Sequence, residues 1–203
     1  MRNIITKGNK ENAEYDLDAS FITKDSVIYS FGVGDDIAWD VGMIKKFGCE
    51  VHSFDMTPSS IEWVAKQKLP SKLHFHPYGI SNFDGNALFH LRKKPHWKVF
   101  AASTSLYIKG NPQMLPVKTL RTIMKELGHD HIDVMKIDIE GEEYRVLKNI
   151  KGIPVKQIVI EMHTWTKSER IEKIITLFRL WWRGYRIINH MGHGTFTEYN
   201  FSL

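Results

Sequence analysis

Hydrophobic positions change their spacing several times along the chain, and the changes predict alternating strands and helices from residue 27 onward. Short runs rich in β-branched and aromatic residues are typical of buried strands. Five such runs are predicted as core strands: Val27–Val33, Glu50–Phe54, Leu73–Ile80, Ile132–Ile139 and Val155–Met162. Because helical segments separate them, the pattern predicts an α/β fold with a largely parallel sheet covered on both faces.

Helices are predicted where apolar residues recur at intervals of three and four, around residues 37–47, 57–65, 120–127, 142–149 and 169–182. Gly48 and Gly128 follow two of them in the position of a C-terminal cap. The last helix is amphipathic, as a helix packed on a core is. Its predicted apolar face carries Ile171, Ile174, Ile175 and Phe178.

The C-terminal end carries two more strand patterns, Tyr185–Asn189 and Thr195–Leu203, joined across two glycines. Their short separation predicts an antiparallel hairpin. A dinucleotide-binding sheet continues with parallel crossovers instead. The predicted fold is therefore Rossmann-like and doubly wound, with a mostly parallel sheet that ends in an antiparallel hairpin.

Two segments lack a clear period. Residues 1–25 are polar and predict a surface arm or a lead-in to the core, whereas residues 93–116 contain prolines and predict an active-site loop. Turn residues at 82–85 followed by Ala87–Leu91 predict a hairpin-like excursion before that loop. No linker or repeat is visible, so residues 1–203 are expected to form a single domain.

Composition agrees with an ordinary globular domain, since 42% of the 203 residues are hydrophobic and 25% are charged. The apolar runs are strand-length, far below the roughly 20 residues of a membrane span, so no span is predicted. A single cysteine, Cys49, excludes a disulfide or a cysteine metal cluster within one chain. The N-terminus lacks an apolar signal core, and a cytoplasmic location is expected.

The net charge of +5 and a pI near 9.2 favour anionic partners without choosing among them. Basic and aromatic residues interleave at Arg92–Lys98, a pattern that single-stranded nucleic acids can bind. A nucleic-acid-binding or nucleic-acid-modifying protein is therefore one alternative. A solvated basic surface explains the same residues.

The clearest chemical signal is the stretch Phe31-Gly32-Val33-Gly34, at the end of the first predicted strand. Glycines there let the backbone approach a ligand, and the following helix offers free N–H groups. Asp55 ends the second strand about 20 residues later, where a carboxylate can accept ribose hydroxyls. Together these features predict an adenosine-containing cofactor.

The residues after the glycines distinguish between two adenosine-containing cofactors, a dinucleotide and S-adenosylmethionine. A dinucleotide fingerprint needs a third glycine, but this chain has Asp35-Asp36 there. Two carboxylates repel a pyrophosphate and suit the cationic sulfonium and amino group of S-adenosylmethionine. The pattern favours that methyl donor, and a nicotinamide-dependent oxidoreductase is the second alternative.

Several segments resemble the FkbM-type methyltransferases, a branch of the class I, S-adenosylmethionine-dependent superfamily. The most specific is Lys136-Ile137-Asp138-Ile139-Glu140-Gly141, which is similar to that family's run at the fourth core strand. Gly79–Ser81 with Asp84-Gly85, and Ile158–Glu161, follow in the expected order. The resemblance covers about residue 27 to the C-terminus and implies O-methylation of a small-molecule or sugar hydroxyl.

The resemblance also implies roles for the cofactor site. Asp36, Asp40 and Asp138 are the candidates to hold the methionine amino group, because the acid usual in the first motif is replaced here by Ser30. The adenine ring is expected near the end of the third strand. The residues assigned to it are Met56, Ser81 and Asn82.

Three polar residues at strand ends are candidates for catalysis, because ligands in open α/β sheets bind at the carboxyl ends of strands. Asp138 is expected to contact the cofactor or the acceptor, with Glu140 beside it. His163 is a candidate general base for a hydroxyl acceptor. Asp138 with Glu161 or His163 has no dense ligand spacing, so no metal is predicted.

Overall fold

The computed structural model describes residues 2–9, 13–93, 100–104, 109–192 and 196–203. Its helices are α1 (Ala38–Phe47), α2 (Pro58–Ala65), α3 (Leu120–Leu127), α4 (Glu143–Asn149) and α5 (Lys167–Trp182). Its strands are β1 (Ile4–Asn9), β2 (Ala13–Asp18), β3 (Val27–Phe31), β4 (Glu50–Phe54), β5 (Leu73–His76), β6 (Gly79–Ile80), β7 (Gly85–Lys93), β8 (Phe100–Ser103), β9 (Asn111–Lys118), β10 (Ile132–Ile137), β11 (Val155–His163), β12 (Arg186–Met191) and β13 (Phe196–Ser202). Within the described part of the chain, every helix is too short or too polar to cross a membrane.

The central sheet has seven strands in the order β5-β4-β3-β10-β11-β13-β12. The first five run parallel, and β13 lies antiparallel between β11 and β12. The Rossmann-like prediction with a terminal antiparallel hairpin is therefore confirmed. The chain runs outward from β3 to β5 and then returns to β10, so strand order reverses between β3 and β10. Ligands of such sheets bind at the carboxyl ends of the strands at this point.

Successive side chains of each strand point to opposite faces of the sheet, and a hydrophobic core lies on each face. Tyr29 of β3 packs with residues of α3, α4 and α5 on one face. Its neighbour Ile28 packs on the other face with α1 and with the N-terminal hairpin. Gly48 and Gly128 adopt left-handed backbone conformations at the ends of α1 and α3, as the sequence predicts.

The N-terminal residues differ from the surface arm or lead-in predicted for 1–25. β1 and β2 form an antiparallel hairpin whose Tyr15 and Leu17 are fully buried. These two side chains pack with Ile28 and with Trp39 of α1 in the second core. The strand was missed because polar Asp16 and Asp18 alternate with the apolar residues over only one short run.

A second, four-stranded sheet has the order β6-β9-β7-β8 and its own small core. β8 and most of β9 fall in residues 93–116, so the loop predicted there is wrong for these strands. Residues 94–99 and 105–108 lie outside the described residues. Leu115 and Val117 are buried and alternate with exposed neighbours in β9. The prolines beside them, which are disfavoured inside sheets, concealed that alternation.

One further prediction needs correction, and another falls partly on residues outside those that the structure describes. The strand predicted at Leu73–Ile80 is split, since β5 joins the central sheet and β6 joins the second sheet. Of the basic and aromatic segment Arg92–Lys98, the structure describes Arg92 and Lys93 at the end of β7, and the rest lies outside the described residues.

α5 is turned away from its predicted orientation. Ile174 and Phe178, on the predicted buried face, are 67% and 59% exposed, whereas Thr176 and Leu180 are buried. Ile171 and Ile175 are exposed with them. The prediction is wrong because α5 carries apolar side chains on two sides, and Leu180 packs into the core against the first face of the sheet.

This orientation predicts unequal costs for two similar truncations in α5. Leu180→Ala removes a fully buried side chain and is expected to lower the free energy of unfolding by about 2–5 kcal/mol. Ile174→Ala removes an exposed side chain and is expected to change it by less than about 1 kcal/mol. Urea unfolding of both variants measures the difference, and equal costs would contradict the orientation.

Candidate functional site

Three strand ends meet at the glycine turn. The Gly32 N–H donates to the Phe54 carbonyl of β4 at 3.0 Å, and the Asp138 N–H, after β10, donates to the Phe31 carbonyl at 3.0 Å. Gly32 and Gly34 both have positive φ, at 85° and 60°. These bonds hold the carboxyl ends of β3, β4 and β10 together at the point where strand order reverses.

Gly32 is required by close packing as well as by its backbone angle. A Cβ atom at this position would lie 1.7 Å from the Asp138 carbonyl oxygen, a rigid backbone atom. A Cβ atom at Gly34 would meet nothing within 4 Å. Glycine is therefore favoured at the two positions for different reasons. At position 32 a larger residue would collide with the Asp138 carbonyl, whereas at position 34 glycine is favoured by its positive φ alone.

Asp55 binds the turn to the end of β4. Its Oδ2 accepts the N–H groups of Val33 and Gly34 at 3.1 and 2.9 Å, and its Oδ1 accepts the N–H of Thr57 at 2.8 Å. The carboxylate is buried. Burial raises its pKa, and the hydrogen bonds from Gly34, Thr57 and Val33 oppose that shift.

A cleft of about 1060 Å³, including its open mouth, lies over these strand ends. Most of the predicted cofactor residues lie in its wall: Phe31, Gly32, Gly34, Asp36, Asp40, Asp55, Met56 and Asp138. Glu140, one of the predicted catalytic residues, lies there too. Residues predicted at the ends of separate strands thus line one cleft.

Ser81 and Asn82 are not among the residues that line this cleft. Ser81 is buried and its hydroxyl donates to Glu142 Oε2 at 2.6 Å, whereas Asn82 is exposed. Glu142 is itself in the cleft wall. Ser81 therefore reaches the cleft only indirectly, through Glu142, which was not among the predicted site residues.

Asp36 and Asp40, two of the acids predicted to hold the methionine amino group, have local partners. Asp36 Oδ1 accepts the Ala38 N–H at the start of α1, at 2.7 Å. Asp40, in the first turn of α1, is buried and accepts the Ser53 hydroxyl at 2.6 Å. Burial raises the pKa of Asp40, and the charge of Lys136 opposes the shift.

Asp138 and Glu140 mark the end of the cleft next to β10. Asp138 Oδ2 accepts the hydroxyl of buried Tyr15 at 2.9 Å. Burial, and then the nearby Asp138 carboxylate, hold the pKa of Tyr15 well above its usual value. Glu140 has a positive φ of 49°, rare for a residue with a side chain, and its carbonyl accepts the Ser103 hydroxyl at 2.5 Å.

His163 differs from its predicted role as a general base. Its Nδ1 lies 2.7 Å from Glu143 Oε1 and its Nε2 lies 3.0 Å from Glu161 Oε1. Burial alone would lower the pKa of His163, but these two carboxylates raise it to about 11. An imidazole that is already protonated at neutral pH cannot accept a proton. His163 also is not among the residues that line the cleft.

Sequence reasoning missed several residues of the site. Tyr15 comes from the hairpin that was predicted as an arm, and Trp39 was one of several apolar positions in α1. The buried Trp39 Nε1–H finds no hydrogen-bond partner among the described residues. The sequence names Glu161 only as a partner of Asp138 in a metal site that the spacing does not support. The change of polarity after the apolar residues Ile158–Ile160, near the end of β11, is the signal that marks it.

Comparison with known proteins gives a family match over most of the chain. A family model described as a methyltransferase domain matches residues 14–180. The curated human protein "Probable methyltransferase-like protein 24" is 29% identical over 161 residues, which cover 76% of this chain. Its rat counterpart is 27% identical over 166 residues, which cover 79% of this chain.

This chain is shorter than those relatives. The match spans 37% of the human protein and 39% of the rat protein. Among solved structures, M. capricolum TrmK in complex with S-adenosyl-homocysteine has a TM-score of 0.48 at 12% identity, over 91% of this chain and 65% of that chain.

The two glycines of the turn predict unequal effects of alanine. Gly34→Ala introduces a side chain at positive φ without a contact and is expected to cost about 1–2 kcal/mol. Gly32→Ala meets the Asp138 carbonyl and is expected to cost several-fold more, or to prevent folding. Thermal unfolding compares them, and equal melting temperatures would show that the three strand ends are not packed as described.

Proposed function

The chain belongs to the methyltransferase-domain family, and from this premise we propose that it transfers the methyl group of S-adenosylmethionine to a hydroxyl oxygen of a small-molecule or sugar acceptor. The observation that carries the proposal is the glycine turn, fixed by Asp55 at the carboxyl ends of β3 and β4. The oxygen and sugar parts, and membership of the FkbM-type branch, rest on the resemblance of residues 136–141.

The charge of the cleft supports this donor over a dinucleotide. Its wall carries seven carboxylates and one lysine, Lys136: the acids are Asp35, Asp36, Asp40, Asp55, Asp138, Glu140 and Glu142. Such a wall repels a pyrophosphate and attracts the sulfonium and amino group of S-adenosylmethionine, since like charges close together in a low-dielectric site cost energy. The preference for a cationic ligand inferred from Asp35 and Asp36 is therefore shared by the rest of the wall.

The wall offers partners for each part of the donor. The Asp55 carboxylate, held by three backbone N–H groups at the end of β4, is assigned to a ribose hydroxyl, which it accepts at the cleft wall. The methionine amino group is assigned to Asp40 or Asp138, because Asp36 bonds to α1. Met56 lies directly against Gly79 and is assigned to the adenine ring.

Methyl transfer is an in-line displacement, to which the protein contributes mainly position and charge. The acceptor oxygen forms a bond to the methyl carbon, the carbon–sulfur bond breaks, and its electron pair stays on sulfur. The acceptor proton passes to a carboxylate, which is Asp138 if Asp40 holds the methionine amino group and Glu140 if Asp138 holds it. His163, held between Glu143 and Glu161, positions that end of the site.

Removal of the Asp55 carboxylate tests the cofactor assignment. Asp55→Ala is expected to weaken binding of S-adenosylhomocysteine at least tenfold, because a ribose partner and the bonds that fix the glycine turn are lost together. Isothermal titration calorimetry measures the affinity, and circular dichroism checks that the variant is folded. Asp130→Ala, at an aspartate whose side chain is 95% exposed, is the matched control. An Asp55→Ala variant that is folded and binds with unchanged affinity would refute the assignment.

Thermal shift distinguishes the donor from its rival. S-adenosylhomocysteine at saturating concentration is expected to raise the melting temperature by several degrees, because a ligand that binds only the folded state stabilises it. NADH at the same concentration is expected to leave it unchanged. Stabilisation by NADH alone would favour the oxidoreductase alternative and overturn the proposal.

A further inference from the structure

Three side chains next to the cleft have the arrangement of metal ligands. We infer that Asp138, Glu161 and His163 bind a divalent first-row transition-metal cation. One ligand atom from each of the three lies within 4.8 Å of the others. Asp138 follows β10, whereas Glu161 and His163 are two residues apart on the adjacent strand β11 and so share one face of the sheet.

One of the separations between ligand atoms matches that of an occupied site. Oxygen and imidazole ligands bind such cations at about 2.0–2.2 Å, which places two ligand atoms of one ion about 3.0–3.5 Å apart. Glu161 Oε1 and His163 Nε2 are already 3.0 Å apart. The remaining separations, at most 4.8 Å, close by side-chain rotation when the cation binds. The Nε2 proton is released to solvent as the cation replaces it.

His163 is oriented from outside the three ligands. Glu143, which is fully buried, lies 2.7 Å from Nδ1 and so turns Nε2 toward Glu161. Histidines that bind metals are typically held by a carboxylate on their other ring nitrogen. The Tyr15 hydroxyl plays a comparable part for Asp138, since it bonds to Oδ2 and leaves Oδ1 for a ligand.

The surrounding charge favours a cation. Glu161 is repelled by Asp138 and Glu140, an effect that His163 opposes. Glu198, which faces Glu161 across the antiparallel pair, is repelled by both Glu161 and Asp138, an effect that Lys136 opposes. Carboxylates gathered in a partly buried place are stabilised by a bound cation. One imidazole with two carboxylates suits Mn²⁺, Fe²⁺ or Zn²⁺, whereas Mg²⁺ prefers oxygen ligands and retains water.

The site shares Asp138 with the cleft wall. If the proposed function holds, the cation lies at the acceptor end, where a metal increases the acidity of an oxygen bound to it. The binding inference itself does not require methyl transfer, and it is tested by binding alone.

Mn²⁺ is the appropriate probe, because His52, His74 and His76 stack side by side on β4 and β5 and could attract Zn²⁺ elsewhere. Calorimetry of the metal-free protein with MnCl₂ is expected to show one site, with MgCl₂ binding at least about tenfold more weakly. Glu161→Gln is expected to weaken Mn²⁺ binding at least about tenfold. Glu198→Gln, which removes a neighbouring carboxylate outside the ligand set, is expected to retain it within about threefold.

Three outcomes would overturn the inference: no Mn²⁺ binding by the wild-type protein, equal binding of Mn²⁺ and Mg²⁺, or equal losses in the two variants. Equal losses would indicate that Mn²⁺ is attracted by the negative charge of the whole region and not by the three ligands. Such a region would suit a positively charged methyl acceptor instead. Binding of S-adenosylhomocysteine in the presence of a chelator is measured separately, so failure of the metal site and failure of the proposed function are distinguished.

Discussion

The carboxylate of Asp55 is the interaction on which the site depends. It accepts three backbone N–H groups from two loops, two from the glycine turn after β3 and one from the loop after β4. Hydrogen bonds to a charged acceptor are stronger than neutral ones, and this one is buried. Together with the backbone bonds from Gly32 to Phe54 and from Asp138 to Phe31, it holds the turn at the point where strand order reverses.

The close approach at Gly32 has a related consequence. The Asp138 carbonyl occupies the space in which any side chain at position 32 would lie, so β3 and β10 end in direct backbone contact. That contact brings Asp55 and Asp138, which are far apart in sequence, to one cleft. The acidic wall and the tight turn are therefore parts of one arrangement, and the wall determines the charge of ligands that the turn can hold.

The sequence was sufficient to predict the central sheet, the terminal hairpin and the glycine turn with its acidic partners, because these depend on local patterns repeated over several strands. It was insufficient where two patterns compete, as in α5, whose apolar residues lie on two sides. Prolines concealed the alternation in β9, and acidic neighbours concealed Tyr15 and Leu17 in β2. His163 illustrates a third reason, since its pKa is set by Glu143 and Glu161, whose positions around the ring depend on tertiary packing.

A crystal structure of the protein with S-adenosylhomocysteine tests the central claim most directly. The account predicts the ligand in the cleft over β3, β4 and β10, with a ribose hydroxyl within hydrogen-bonding distance of Asp55 and the adenine ring against Met56. A ligand bound at another surface, or in this cleft with its ribose remote from Asp55, would contradict it.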